Sequence, residues 1–303
     1  MQYRKGSVKE KRLKGHVRSF AWEPTERQLL LVGNNGLVAR TDGEDVVRFD
    51  SGTRQNLRAV SFNSSDGTAL IVGNAGSVLL WDEKQFHKIG SSTSENVRAV
   101  SWNSRGTIAL IAGNQGTLFK YSDKRVEAVG DCRANLRRIS WKPHSDQALI
   151  ASNCFGEEFI PSPNLFSYEG ETDSVSSLNE GRADLIGLDW HPNGMSALVV
   201  GYDVVWHNGI ISNYNGSAVT PIAFENRRVY LVAVAWDGLG GLAAIATATT
   251  QAGIGKGMIY LWDGQQLKQI YDNSEFYFSA VAWDQNHTEF AALASTATRT
   301  YNC

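Results

Sequence analysis

The chain has 303 residues, of which 20% are charged and 42% hydrophobic, and its formal net charge is −2. It is long enough to bury a large core and too evenly charged for intrinsic disorder or a general attraction to nucleic acid. No stretch approaches the roughly 20 consecutive apolar residues that span a bilayer, and the basic start MQYRKGSVKEKRLKGH lacks the apolar run of a secretion signal; the expectation is a cytoplasmic protein with no membrane or nucleic-acid partner.

In chain order, the first β-type runs are VRSFAW at 17–22 and LLLVG at 29–33, followed by a third near LVART and a fourth, DVVRFD. The pattern then returns. NLRAVSFNSSDGTALIVGNAGSVLLWD at 56–82 reappears forty residues on as NVRAVSWNSRGTIALIAGNQGTLFKYSD. Aligned on the aromatic residue that closes the first run, the units are anchored by Trp22, Phe62, Trp102, Trp141, Trp190, Trp236 and Trp283, at spacings of 40, 40, 39, 49, 46 and 47. Two positions before each anchor stands an apolar residue (Phe20, Val60, Val100, Ile139, Leu188, Val234, Val281), and five before it another (Val17, Leu57, Val97, Leu136, Leu185, Leu231, Phe278). Short β-rich runs separated by Gly, Asn and Asp turns at this period mark radially repeated four-stranded sheets, because a sheet that small cannot hide its faces alone. Helical repeats need apolar spacing of 3.6, which these runs lack.

The Val-x-x-Val-x-aromatic spacing, Gly15-His16 before the first unit, and the endings Trp81-Asp82 and Trp262-Asp263 resemble the WD40-type β-propeller family, in divergent form. The resemblance implies an all-β, seven-bladed β-propeller of four-stranded antiparallel blades forming one domain over residues 1–303. The Asp that the family places between second and third strands is mostly Asn here (Asn34, Asn74, Asn114, Asn153), and only one unit has its Gly-His. The seventh anchor leaves room for three strands ending in TRTYNC, so the N-terminal SVKEKRL is expected to supply the missing outer strand and close the ring.

Signatures of chemistry are weak. GIGKG at 253–257 lacks the first Gly of a phosphate loop and runs into the strand-like MIYLW, whereas phosphate cradling needs a helix N-terminus. The Gly238–Gly240 segment joins two strands of one unit and reads as a turn. The six histidines never fall at metal-ligand spacing, and Cys132, Cys154 and Cys303 are odd in number and far apart, giving neither a disulfide framework nor a zinc site. No cofactor, metal or catalytic residue is expected, although a propeller can assemble an enzyme or small-ligand site in its channel from distant blades, and this is the alternative function.

Four positions before the anchor, the first four units carry Arg18, Arg58, Arg98 and Arg137, while the last three carry Ile186, Val232 and Ser279. Apolar residues at both −2 and −5 break strict alternation, so a β-bulge near −4 and −5 is expected to re-aim one side chain. Asn56, Asn96 and Asn135 stand two places before three of the arginines, and Asn34, Asn74 and Asn114 lie in the turns on the same face. Two readings follow. Either the arginines span to neighbouring-blade carbonyls while Asn takes left-handed turn conformations, or the set forms a donor-rich crescent for an acidic or phosphorylated peptide. The loops of units four to six add Phe159, Ile160 and Trp206 as candidate anchors for a partner. The leading expectation is a non-enzymatic scaffold, monomeric by itself, that binds a protein or peptide on one propeller face.

Overall fold

The computed structural model describes residues 2–4, 7–9, 14–25, 28–130, 132–153, 161–203, 205–224, 228–251, 254–273, 276–284 and 286–296. The architecture is an all-β propeller of four-stranded antiparallel blades. Six sheets are each built from four consecutive strands: blade 1 spans 17–50, blade 2 57–89, blade 3 97–128, blade 4 135–181, blade 5 183–222 and blade 6 230–273. A seventh sheet joins the two ends of the chain, with Phe276–Trp283 innermost, then Glu289–Thr296, then Gln2–Arg4 and Ser7–Lys9. This corrects the expected closure. The N-terminus contributes two strands rather than one, and Gln2–Arg4 pairs directly with the edge of Glu289–Thr296. TRTYNC lies outside the described residues.

The packing between blades explains the −5, −2 and anchor pattern. Side chains at −2 and 0 of one blade meet those at −3 and −1 of the preceding blade near the axis, where room is least. The −3 and −1 positions are therefore small in every blade except at Arg138 and Asp189. Ala59 packs with Val100, Ala99 with Ile139 and Trp141, and Ala233 with Val281. The last seam brings Phe20, Leu29 and Leu31 of blade 1 against Ala280 and Ala291 of blade 7 and closes the circle. Burying each Val, Leu or Ile contributes about 1.5–3 kcal/mol, against about 1 kcal/mol for a typical hydrogen bond, so the apolar seams rather than the strand ladders hold the blades together.

Polar stitches add register to the seams in two alternative ways. The indole Nε1–H groups of Trp22, Trp141 and Trp283 donate to the carbonyls of Ala282, Ser101 and Ala235 of the preceding blade, at 3.1, 2.8 and 2.9 Å. At Trp102, Trp190 and Trp236 the backbone N–H donates instead to the preceding blade's side chain at −1: Ser61 and Ser140 at 3.2 Å each, and Asp189 at 2.8 Å. The indole nitrogens of these three are buried without an acceptor among the described residues. Asp189 thus links three blades, since its other oxygen accepts from Ser140 Oγ at 3.0 Å. Burial drives its pKa up to about 6 despite those donors.

The segments read as turns are turns. Residues 237–242 connect Tyr230–Trp236 to Ala243–Gln251, and residues 254–257 of GIGKG begin the strand Ile254–Trp262 rather than a helix, Gly253 lying outside the described residues. Among the described residues no helix is long and apolar enough to cross a membrane, and no cluster of three or more His, Cys, Asp or Glu is placed to hold a metal.

Candidate interaction site at the channel mouth

Every innermost strand carries the expected irregularity. Its register against the second strand slips between Val17 and Ser19, Leu57 and Ala59, Val97 and Ala99, Leu136 and Arg138, Leu185 and Gly187, Leu231 and Ala233, and Phe278 and Ala280. The residue skipped is the one at −4 in all seven blades. A bulge leaves that residue unpaired and turns its side chain out of the alternation, which lets −5 stay in the core while −4 faces the mouth. It also presses the −6 carbonyl toward the end of the second strand: a Cβ on Gly73 would lie 2.4 Å from the Asn56 oxygen, and one on Gly33 2.0 Å from that of His16. Close approach excludes a side chain at these glycines, whereas the equivalent positions of blades 4, 6 and 7 carry Ser152, Thr247 and Ala294.

In blades 1 to 4 the bulged residue is arginine, and each arginine binds the turn asparagine of its own blade. Nε–H donates to the Oδ1 of Asn34 from Arg18, of Asn74 from Arg58 and of Asn153 from Arg137, each at 2.9 Å, and Arg98 donates to Asn114 at 3.3 Å. Arg137 alone spans a seam, its Nη1 reaching back to Asn114 at 2.9 Å. The expected bonds to neighbouring carbonyls are therefore replaced by side-chain bonds, chiefly within one blade. The asparagines at −6 latch the blades instead. Oδ1 of Asn56, Asn96 and Asn135 accepts the backbone N–H of Asn35, Ala75 and Gln115 of the preceding blade, at 3.0, 3.3 and 3.2 Å. Those three residues have φ of 54°, 50° and 54°, the left-handed conformation that aims the N–H across the seam.

This arrangement leaves the mouth rich in donors. Each of these partners is a donor, so every asparagine oxygen is taken up by a guanidinium or backbone N–H, and the carboxamide nitrogens have no acceptor among the described residues. Each arginine has spent one or two of its five N–H groups, and none of the four pairs with a carboxylate among the described residues. The guanidinium groups also feel one another. Arg58 is lowered to about 10 by partial burial and then by repulsion from Arg98, Arg18 and Arg137. Burial and Arg18 lower Arg98; burial and Arg98 lower Arg137, against the opposing pull of Asp184. Arg98 and Arg137 meet at the shared Asn114 oxygen.

The other side of the mouth differs. Ile186 and Val232, at the same bulge positions in blades 5 and 6, are partly exposed. Tyr202 stands where blades 1 to 4 have the turn asparagine, and Tyr230 where blades 2 to 4 have the latch asparagine. Their rings stack with centroids 3.8 Å apart, Tyr230 donates to the Tyr202 hydroxyl at 2.8 Å, and Tyr202 hydrogen-bonds His207 Nδ1. Burial first, and the Tyr230 hydrogen bond second, raise the Tyr202 pKa. Trp206 is 74% exposed on a turn held by Asp203 Oδ1, which accepts from the N–H groups of Val205 and Trp206 at 2.8 Å each. Repeat spacing places Tyr202 and Tyr230 at the turn and latch positions of blades 5 and 6, but that their rings stack across the seam shows only in the folded ring. Phe159 and Ile160 lie outside the described residues.

No protein-family model and no curated protein matches the sequence. Solved structures do match in shape. The WD40 repeats of RRP9 superpose with a TM-score of 0.71 at 8% identity, covering 93% of this chain and 88% of that one. The fold is that of a divergent WD40-like β-propeller. A chain of Kuenenia stuttgartiensis hydrazine synthase also superposes, with a TM-score of 0.74 at 11% identity over 98% of this chain and 100% of that one. At such identities the likeness shows the propeller alone, and the rim of this WD40-like propeller has to be read from its own residues.

Proposed function

We propose that this propeller is a non-enzymatic interaction scaffold, one domain over residues 1–303 and monomeric by itself, that receives an acidic or phosphorylated segment of a cytoplasmic protein partner at its channel mouth. The observation that supports this reading is the one-sidedness of the rim: Arg18, Arg58, Arg98 and Arg137 occupy one repeat position in successive blades, and the asparagine oxygens around them are all taken up by their Nε–H groups. Around Arg18, Arg58 and Arg98 what remains on offer is positive charge and N–H, while Asp184, at the latch position of blade 5, acts on Arg137. Guanidinium forks and carboxamide donors fit carboxylate and phosphate oxygens, and an anion among them relieves the repulsion that the arginines exert on one another. Nucleic acid fits less well with a net charge of −2.

The test is titration calorimetry with a tetraglutamate peptide and a doubly phosphorylated serine peptide against the wild type and the Arg58→Ala/Arg98→Ala double variant. The reading requires binding that weakens in the variant and with added salt. A variant that melts lower yet binds both peptides unchanged leaves the arginines a structural role only.

A further inference from the structure

The bulge places equivalent backbone positions around one rim, so the residues at −4 can be compared directly. Going round the ring they are Arg, Arg, Arg, Arg, Ile, Val and Ser, and the change comes abruptly between blades 4 and 5. The flanking positions change with it. Where an arginine sits, its partner is the turn asparagine; where Ile186 sits, that partner is replaced by Tyr202, and Tyr230 occupies the next latch position. Ile186 and Val232 remain partly exposed, although aliphatic side chains gain from burial, and Trp206 is exposed after the second strand of blade 5, the blade of Ile186, where Asp203 accepts from its backbone N–H.

Resting on the reading above, we propose that the mouth is bipartite: its occupant is a peptide segment with at least two adjacent negative charges followed or preceded by a bulky apolar residue, the charges lying on Arg58 and Arg98 and the apolar side chain on Ile186, Val232 and Trp206. Charge complementarity selects the acidic half, because four guanidinium groups without carboxylate partners among the described residues are better matched by two charges than by one. The apolar half is selected by the only part of the bulge ring that offers aliphatic surface. Trp206 suits a contact role, since an exposed indole brings a large apolar area with only two side-chain torsions to order on binding.

The experiment compares two probes by calorimetry: tetraglutamate, and tetraglutamate extended by a Leu-Phe pair at either end. The expected result is that one extended peptide binds about tenfold tighter than tetraglutamate, roughly what burying one apolar side chain supplies. That gain disappears in Trp206→Ala and shrinks in the Ile186→Thr/Val232→Thr variant, which keeps both positions β-branched, while tetraglutamate affinity stays unchanged in both. Thermal melting of each variant confirms that the propeller is intact. If neither extension tightens binding, or the gain survives both variants, the bipartite site is wrong and the acidic-segment reading stands. If neither these probes nor the doubly phosphorylated serine peptide binds the wild type, both fall.

Discussion

Arg137 of blade 4 donates through Nη1 to Asn114 of blade 3 at 2.9 Å, and the same asparagine oxygen accepts Arg98 Nε–H at 3.3 Å. One carboxamide oxygen therefore holds two guanidinium groups at a seam. Asn114→Ala leaves both partly buried donors unmet, and we expect a loss of about 2–3 kcal/mol in urea denaturation. Asn34→Ala removes one bond to the exposed Arg18 and is expected to cost about 1 kcal/mol or less. Equal effects at the two sites contradict this account of the rim.

The bulge makes a backbone prediction. Gly73→Ala brings a Cβ to 2.4 Å from the Asn56 carbonyl oxygen, which is backbone and cannot swing aside. We expect destabilisation of about 3 kcal/mol, the scale of a severe core misfit. Gly52→Ala meets no atom within 4 Å, so it is expected to cost only the about 1 kcal/mol of its left-handed φ of +69°. Chemical denaturation of the two variants side by side checks the contrast.

The two kinds of stitch respond differently to loss of the indole N–H. Trp22→Phe breaks the bond to Ala282 across the seam that closes the ring, with an expected cost of about 1–2 kcal/mol including lost packing. In Trp102→Phe the deleted Nε1 is a buried donor with no acceptor among the described residues, so its removal offsets the lost volume and the variant is expected to be the more stable of the two. Melting temperatures decide the order.

Asp189 makes the seams between blades 4, 5 and 6 sensitive to pH. Its folded-state pKa, pushed up to about 6 mainly by burial, lies above the about 3.9 of a carboxyl in an unfolded chain. A group raised in the folded state adds stability in full below the unfolded value, and that contribution is lost as pH rises through the folded value. The melting temperature of the wild type minus that of Asp189→Asn should therefore fall between pH 4 and pH 7 and level off above. A difference that stays flat across this window, or that rises, removes Asp189 as the cause.

The repeat was legible because its constraints are local. An aromatic residue and two aliphatics at −5, −2 and 0 recur wherever an innermost strand must fill a narrow seam, and the apolar −5 beside an apolar −2 revealed the bulge before any coordinates. The arginines at −4 were equally plain. Their hydrogen bonds were not: Arg58 lies on the innermost strand and Asn74 sixteen residues on, in the turn after the second strand, and only the slipped register brings Nε to 2.9 Å from Oδ1. The closing blade was legible only in part, because short strands at the chain ends carry too few residues for a pattern, and whether one or two of them add to Glu289–Thr296 depends on the free edge they meet.

The amino-acid order by itself determined the repeated blade, the small-against-large packing of its inner edge and the presence of four arginines at one repeat position, since each depends on side-chain size and charge at fixed spacing. Only the tertiary structure decided that the asparagine oxygens are taken up by N–H groups and leave donors facing the mouth, that Tyr202 and Tyr230 stack beside Ile186 and Val232, and that Asp189 ties three blades together. These relationships join residues of different blades, and the distance between blades is set by how the whole ring closes rather than by any segment within it.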